Sequence, residues 1–256
     1  MSVEYTSADG VGVLTLHRPP ANSYDAAFVD ELGEAITTAA TGGVVAVVVR
    51  SGLDKFFSAG ADVKTFLASD PEENMTMVRR AHAALDAMAA APCVFVAEIA
   101  GHALGGGLEI ALACDLRFGA EGRYRLGLPE VTLGLLPGTG GTQRLPRLIG
   151  PGRALDLMLT GETFTPAEAH DLGVLDRLAP VEELANETAE FARNLAAGAP
   201  LAIANIKRAV VEGSQAPLAQ ALTRELDLVA PLFASADGRE GMEAFLEKRE
   251  PRFTGA

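Results

Sequence analysis

Over the first half of the chain, short apolar runs alternate with stretches whose apolar residues recur every three or four positions. VGVLTL, with residues 12–16 inside it, reads as a strand, as do VVAVVVR at 44–50 and CVFVAEIA at 93–100. Between them, Phe28, Leu32 and Ile36 at i+4 spacing predict a helix around 26–40. Asp70, Pro71 and Glu73 open a second helix, about 71–90, with an N-cap, a proline at the first position and a reciprocal glutamate. Residues 107–114 read as a helix, and 115–119 and 123–128 as short strands.

Beyond residue 140 the pattern turns helical. Thr165, Pro166 and Glu168 form another capping box, and apolar spacing continues through 182–196, 201–212 and 217–233. A last helix, DGREGMEAFLEKR, is expected to follow Asp237. The expected organisation is an α/β core over 1–195 and a helical region over 196–256 of the kind that serves assembly, with no low-complexity linker between them.

With 256 residues and 48% hydrophobic content the chain can fill a substantial core. Its net charge of −13 argues against a broad surface for nucleic acid or anionic lipid, although a few local cations can still hold a small anion. Cys93 and Cys114 lie in apolar surroundings without a CxxC or His-rich partner, so they are expected to be buried reduced thiols. His17, His82, His102 and His170 show no metal-binding spacing, and no metal is expected. The start of the chain lacks a basic region followed by a long apolar stretch, and no run of about 18 apolar residues occurs. These features predict a soluble cytoplasmic protein.

The chemistry concentrates in GHALGGGLEIALACD, residues 101–115. It is not a phosphate-binding P-loop, because Gly107 and Leu108 stand where Lys and Ser or Thr are required. It also lacks the register and placement of a dinucleotide-binding GxGxxG. A helix starting at Gly106 or Gly107 would leave its first N–H groups without intrahelical partners, and these, with the helix dipole, stabilise negative charge on an oxygen. Glu109 falls in that first turn, where the ionised form is favoured and can polarise a water. The alternative is that the glycines serve close packing and Glu109 is a solvated acid.

Two other segments bear on that choice. FFSAGADVK, 56–64, offers a second glycine-containing turn before a short helix, with the N–H of Ala61 free for a ligand. RLGLPEVTLGLLPGTGGTQRL, 125–145, sets Glu130 after Pro129 in an otherwise apolar stretch, where burial would disfavour its charged form unless it is paired. Two carboxylates in unlike environments suit acid and base work on one water. Taken singly, Glu130 could equally cap a turn.

With these motifs in view, the chain resembles the enoyl-CoA hydratase/isomerase, or crotonase, family. The resemblance runs from HRPPAN through SGLDKFFSAGADVK, AGHALGGGLEIALACDLRF and LPEVTLGLLPGTGGTQRLPRLIG to GMEAFLEKREPRF. It implies a crotonase-like spiral of repeated ββα units with a helical C-terminal trimerisation region, assembled as a homotrimer or as a hexamer made of two trimers. It implies an acyl-CoA thioester as ligand, a place in fatty acid or other lipid metabolism, and no cofactor beyond the coenzyme A that the substrate carries. The backbone N–H groups of Ala61 and Gly106 would form the oxyanion hole, each contributing about 3 to 4 kcal/mol to the transition state.

In the implied hydration Glu109 is the base and Glu130 passes a proton to C2. Glu130 is also kept by isomerases of the family, so a double-bond isomerase, or another reaction of the family, stays open. A non-catalytic acyl-CoA binder stays open as well, although binding alone needs neither acid. Ala59, Asp62, Lys64, Gly105, Gly138 and Lys248 are the expected substrate and CoA contacts, with Lys64 toward the adenine and Lys248 toward phosphate, from a neighbouring subunit if the family pattern holds. Arg18 is a further phosphate candidate. Phe66, Leu67, Met75, Met77 and Leu135 are candidates to meet the acyl tail. ANSYD at 21–25 departs from the more usual NALN, placing Tyr24 and Asp25 near the expected CoA arm.

Overall fold

A computed structural model describes residues 1–256. The chain opens on a hairpin, β1 (Val3–Ala8) and β2 (Val11–Leu16), turned by Asp9 and Gly10, both at positive φ (50° and 77°). Such a turn matches the twist of the strands it joins. The apolar pattern did not reveal β1, because it is an edge strand that buries only Val3 fully. Asp25 caps α1 (Ala26–Thr41), accepting from the Phe28 N–H at 3.0 Å, and the helix buries Phe28, Leu32 and Ile36 on one face as their spacing requires.

Three ββα units follow. The first is β3 (Ala46–Ser51), β4 (Phe56–Ser58), a short α2 (Val63–Ala68) and α3 (Pro71–Ala90), whose expected Asp70–Glu73 capping box is present. The second is β5 (Val94–Ile99), β6 (His102–Leu104) and α4 (Gly106–Ala113). The third is β7 (Leu116–Ala120), β8 (Leu126–Gly127), a 3-10 turn at Glu130–Leu133, α5 (Gly141–Ile149) and α6 (Pro151–Thr160). Then come β9 (Thr163–Phe164), α7 (Pro166–Leu172) with its Thr165–Glu168 box, and β10 (Arg177–Ala179). Four helices close the chain: α8 (Val181–Ala196), α9 (Pro200–Gly213), α10 (Leu218–Ala234) and α11 (Ala236–Glu247).

Each unit gives its first strand to one sheet and its second to another, which is what makes the fold a spiral. The larger sheet has the order β1-β2-β3-β5-β7-β10, parallel except for the opening hairpin. The smaller has the order β4-β6-β8-β9, with β9 antiparallel. β3 and β5 are apolar along most of their length because both faces of the parallel sheet are covered, α8 packing across the outer face. The last helix starts earlier than its sequence suggests. Ser235 is its N-cap, and Asp237 lies buried in the first turn, where it accepts from the Thr254 and Gly255 N–H groups of the C-terminal tail at 2.7 and 2.9 Å.

Candidate active site

Asn22 organises the first wall of the site. Fully buried at φ 50°, it donates its side-chain amide to the carbonyls of Leu16 and Phe57 and to Ser51 Oγ, at 2.8 to 3.1 Å. Ser58 Oγ in turn donates to Asn22 O at 2.8 Å and accepts from the Gly60 N–H. The strand-like segment from Ala21 to Tyr24 is thereby laid along residues 59–62, with Ala59 N donating to Ala21 O, Tyr24 N to Gly60 O and Asp62 N to Tyr24 O, each at 2.9 Å. Ala61 sits between the last two bonds, and its own N–H has no acceptor in the chain.

The second wall is the start of α4. Gly105, at φ 54° and ψ −130°, a conformation costly for any residue with a Cβ, precedes it, and Gly106 is the first helical residue. The Gly106 N–H therefore has no intrahelical partner. The two walls touch: a Cβ placed on Gly60 would lie 2.8 Å from the Gly106 nitrogen. Two unpaired amides from distant parts of the sequence are thus neighbours at one seam.

Glu109, one turn along α4, is 1% exposed, so it is not a solvated first-turn acid. Its carboxylate accepts from Thr139 N at 2.8 Å, from Gly141 N at 2.7 Å and from the Thr139 hydroxyl. Gly141 opens α5, so this carboxylate lies at the N-termini of two helices. The turn that supplies these donors is itself held: His82 Nε2 donates to Gly138 O at 2.8 Å, and Arg144 bridges Thr139 O to Asp86, both at 3.0 Å.

Glu130 is treated in the opposite way. It begins the 3-10 turn, half-buried; Oε1 lies against Gly105, 2.9 Å from where a Cβ would stand, and Oε2 is buried with no partner. Burial first, opposed by a backbone hydrogen bond and reinforced by the nearby charge of Glu109, pushes its pKa up to about 7. One carboxylate is surrounded by donors and the other is starved of them. Tyr24, whose phenol burial holds far above the usual range, packs where both acids act on it.

Ala61, Gly105, Gly106, Glu109 and Glu130 therefore converge. Asp62 caps α2 through the Lys64 N–H at 3.0 Å, and the Lys64 side chain is exposed beside it. Gly138 serves the turn beneath Glu109. Lys248 stands apart, exposed at the end of α11, which packs on α10. Arg18 is paired with Asp25, which leaves it poorly placed to seek a phosphate. Of the acyl-tail candidates, Met77 is buried and Phe66 half-buried, whereas Leu67, Met75 and Leu135 are exposed. Sequence reasoning missed Thr139 and Gly141 as the partners of Glu109; the glycine-rich PGTGG was the only signal of their turn.

The model of the family described as enoyl-CoA hydratase/isomerase matches residues 6–256. A probable enoyl-CoA hydratase of Bacillus subtilis is 37% identical over 96% of this chain and 95% of its own. An enoyl-CoA isomerase/hydratase of Mycosarcoma maydis is 42% identical over 78% of this chain and 73% of its own. Among solved structures, an enoyl-CoA hydratase from Geobacillus kaustophilus superposes with a TM-score of 0.98 at 44% identity, covering 100% of this chain and 97% of that one.

Proposed function

The chain belongs to the enoyl-CoA hydratase/isomerase family, and from that premise we propose that it adds water across the C2–C3 double bond of a trans-2-enoyl-CoA to give the 3-hydroxyacyl-CoA. The observation that carries this reading is the contrast between Glu109, saturated with donors, and Glu130, buried with an unpartnered oxygen, beside two free amides.

In this reading the N–H groups of Ala61 and Gly106 donate to the thioester oxygen as it becomes enolate-like. Glu109, ionised, takes a proton from a water whose oxygen bonds to C3. Glu130, protonated, delivers its proton to C2, so the C2–C3 π bond is replaced by a C–O and a C–H bond. Proton exchange with solvent restores both acids. Coenzyme A enters as part of the substrate and no separate cofactor takes part; Lys64 and a neighbouring subunit's copy of Lys248 are proposed to meet its adenine and phosphate end.

The test is water addition to crotonyl, decenoyl and branched enoyl thioesters by the wild type and by Glu109→Gln and Glu130→Gln. Each variant should fold, bind CoA esters and lose about 100- to 10,000-fold in rate; full turnover in both would end the proposal.

One observation favours keeping isomerisation as a second reading. A carboxyl with a pKa of about 7 can shuttle a proton in either direction, and moving a double bond from C3 to C2 needs Glu130 more than Glu109. Activity on 3-enoyl-CoA that survives Glu109→Gln would select it. We further propose assembly as a homotrimer or a dimer of trimers through the closing helices, where Leu218, Leu222, Leu226 and Phe233 form an exposed apolar stripe on α10 and Phe245 and Leu246 are exposed on α11. Sedimentation of the full chain as a monomer would reject this.

A further inference from the structure

The two amides proposed as the oxyanion hole come from separate elements, the turn after β4 and the start of α4, so something must set the distance between them. A shared oxygen is held well only if both nitrogens stand about 3 Å from it. Tyr24 touches both walls. Its N–H donates to Gly60 O and its carbonyl accepts from Asp62 N, each at 2.9 Å, which pins Ala61 between two bonds. Its side chain crosses the seam to lie on Gly106: the phenol oxygen would be 2.0 Å, and Cε1 and Cζ 2.6 Å, from a Cβ at that position.

The ring cannot retreat. It packs on Phe28 of α1 with centroids 6.2 Å apart, and the space left among Tyr24, Leu32, Ala81, Leu85, Ile110 and Thr139 is about 10 Å³, room for one water at most. The phenol also sits beside Thr139, the residue that clamps Glu109. An aromatic residue serving the core alone has no need to lie against Gly106, whose unpaired amide faces the seam.

We propose that Tyr24 is a positioning residue for the oxyanion hole: its main chain holds Ala61 and its ring holds Gly106, so that this one residue sets the separation of the two N–H donors. The proposal rests on the functional reading above, and the test separates the two. The probe is a cinnamoyl-CoA carrying a para electron-donating group, whose absorption moves to longer wavelength when its carbonyl is polarised. It is titrated into wild type, Tyr24→Phe, Tyr24→Leu and Tyr24→Ala, and hydration of crotonyl-CoA is measured on the same proteins.

The wild type should bind the probe with a red shift. Tyr24→Phe, which keeps the ring on Gly106, should retain most of the shift and of kcat. Tyr24→Ala should bind within about threefold of wild type while losing at least half of the shift and about tenfold in kcat, with little change in KM, as weakened donors require. Should the alanine variant fail to fold, Tyr24→Leu, which fills the core but does not reach as far over Gly106, should show the same split in reduced degree. A folded Ala or Leu variant with the full red shift and wild-type kcat overturns the proposal, as does a kcat loss that merely follows the folded fraction. Absence of any shift in the wild type would instead overturn the functional reading.

Discussion

Thr139 donates both its backbone N–H and its hydroxyl to the carboxylate of Glu109, a residue 30 positions earlier in the chain. The pair holds the Glu109 carboxylate in one orientation. Thr139→Val keeps the shape and the backbone donor but removes the hydroxyl. A hydrogen bond to a charged group contributes about 1.5 to 3 kcal/mol, so denaturant unfolding should show a loss in that range and hydration a fall of about tenfold or more. An unchanged rate and midpoint would mean that the hydroxyl is idle.

Glu130 makes the activity depend on pH in a direction that identifies its role. As the proton donor of hydration it must be protonated, so kcat/KM should fall as pH rises through about 7, and this limb should vanish in Glu130→Gln. If it were the base of an isomerase, the same pKa would give a limb that rises through about 7.

Stability follows the same group. Its folded pKa is raised from 4.5 to about 7, so the folded protein keeps a proton that the unfolded chain has released, and the contribution is lost as pH climbs between those values. Melting curves should therefore show Glu130→Gln gaining on wild type near pH 8 relative to near pH 4. A constant difference across that range would contradict the buried, unpaired carboxyl.

Gly60 allows the two walls to meet. At φ +83°, with Gly106 N and Leu104 O both 2.8 Å from the place a Cβ would occupy, it has no room for a side chain. Gly60→Ala should force the turn away from α4 and cost about 100-fold or more in kcat, the scale of losing one oxyanion donor. Wild-type kinetics in this variant would show that the seam tolerates movement.

Lys207, 7% exposed on α9, reaches into the core to meet Asp115 at 2.9 Å and the carbonyls of Met88 and Cys93 at 3.0 and 2.8 Å. Lys207→Met would strand these acceptors, with a cost of about 3 to 5 kcal/mol in chemical unfolding. Burial already raises the Asp115 pKa and Lys207 opposes it, so without the lysine the loss should grow as pH rises. Asp115→Asn in the same background should recover part of it. A double variant as unstable as the single at every pH would assign the effect to packing.

Several features were legible because their signal is local. The capping boxes at Asp70 and Thr165, the i+4 spacing of α1 and the apolar strands β3 and β5 depend on neighbours a few residues away, and each is present. The glycines around 105 announced a helix start with free amides for the same reason. β1 escaped because an edge strand with one fully buried side chain carries almost no periodicity. The start of α11 was misplaced because Asp237 looks like a cap and is instead used by the distant C-terminal tail.

The amino-acid sequence alone determined which groups are available: two acids, two glycine-rich turns and the order of strands and helices that carries them. Tertiary structure decided what those groups are. Glu109 and Glu130 are the same residue type, and they differ because folding brings three donors from the 139–141 turn to one and leaves an oxygen of the other buried without a partner. Desolvation and long-range hydrogen bonds act through space, and contacts 30 and 32 residues apart leave no trace in local spacing.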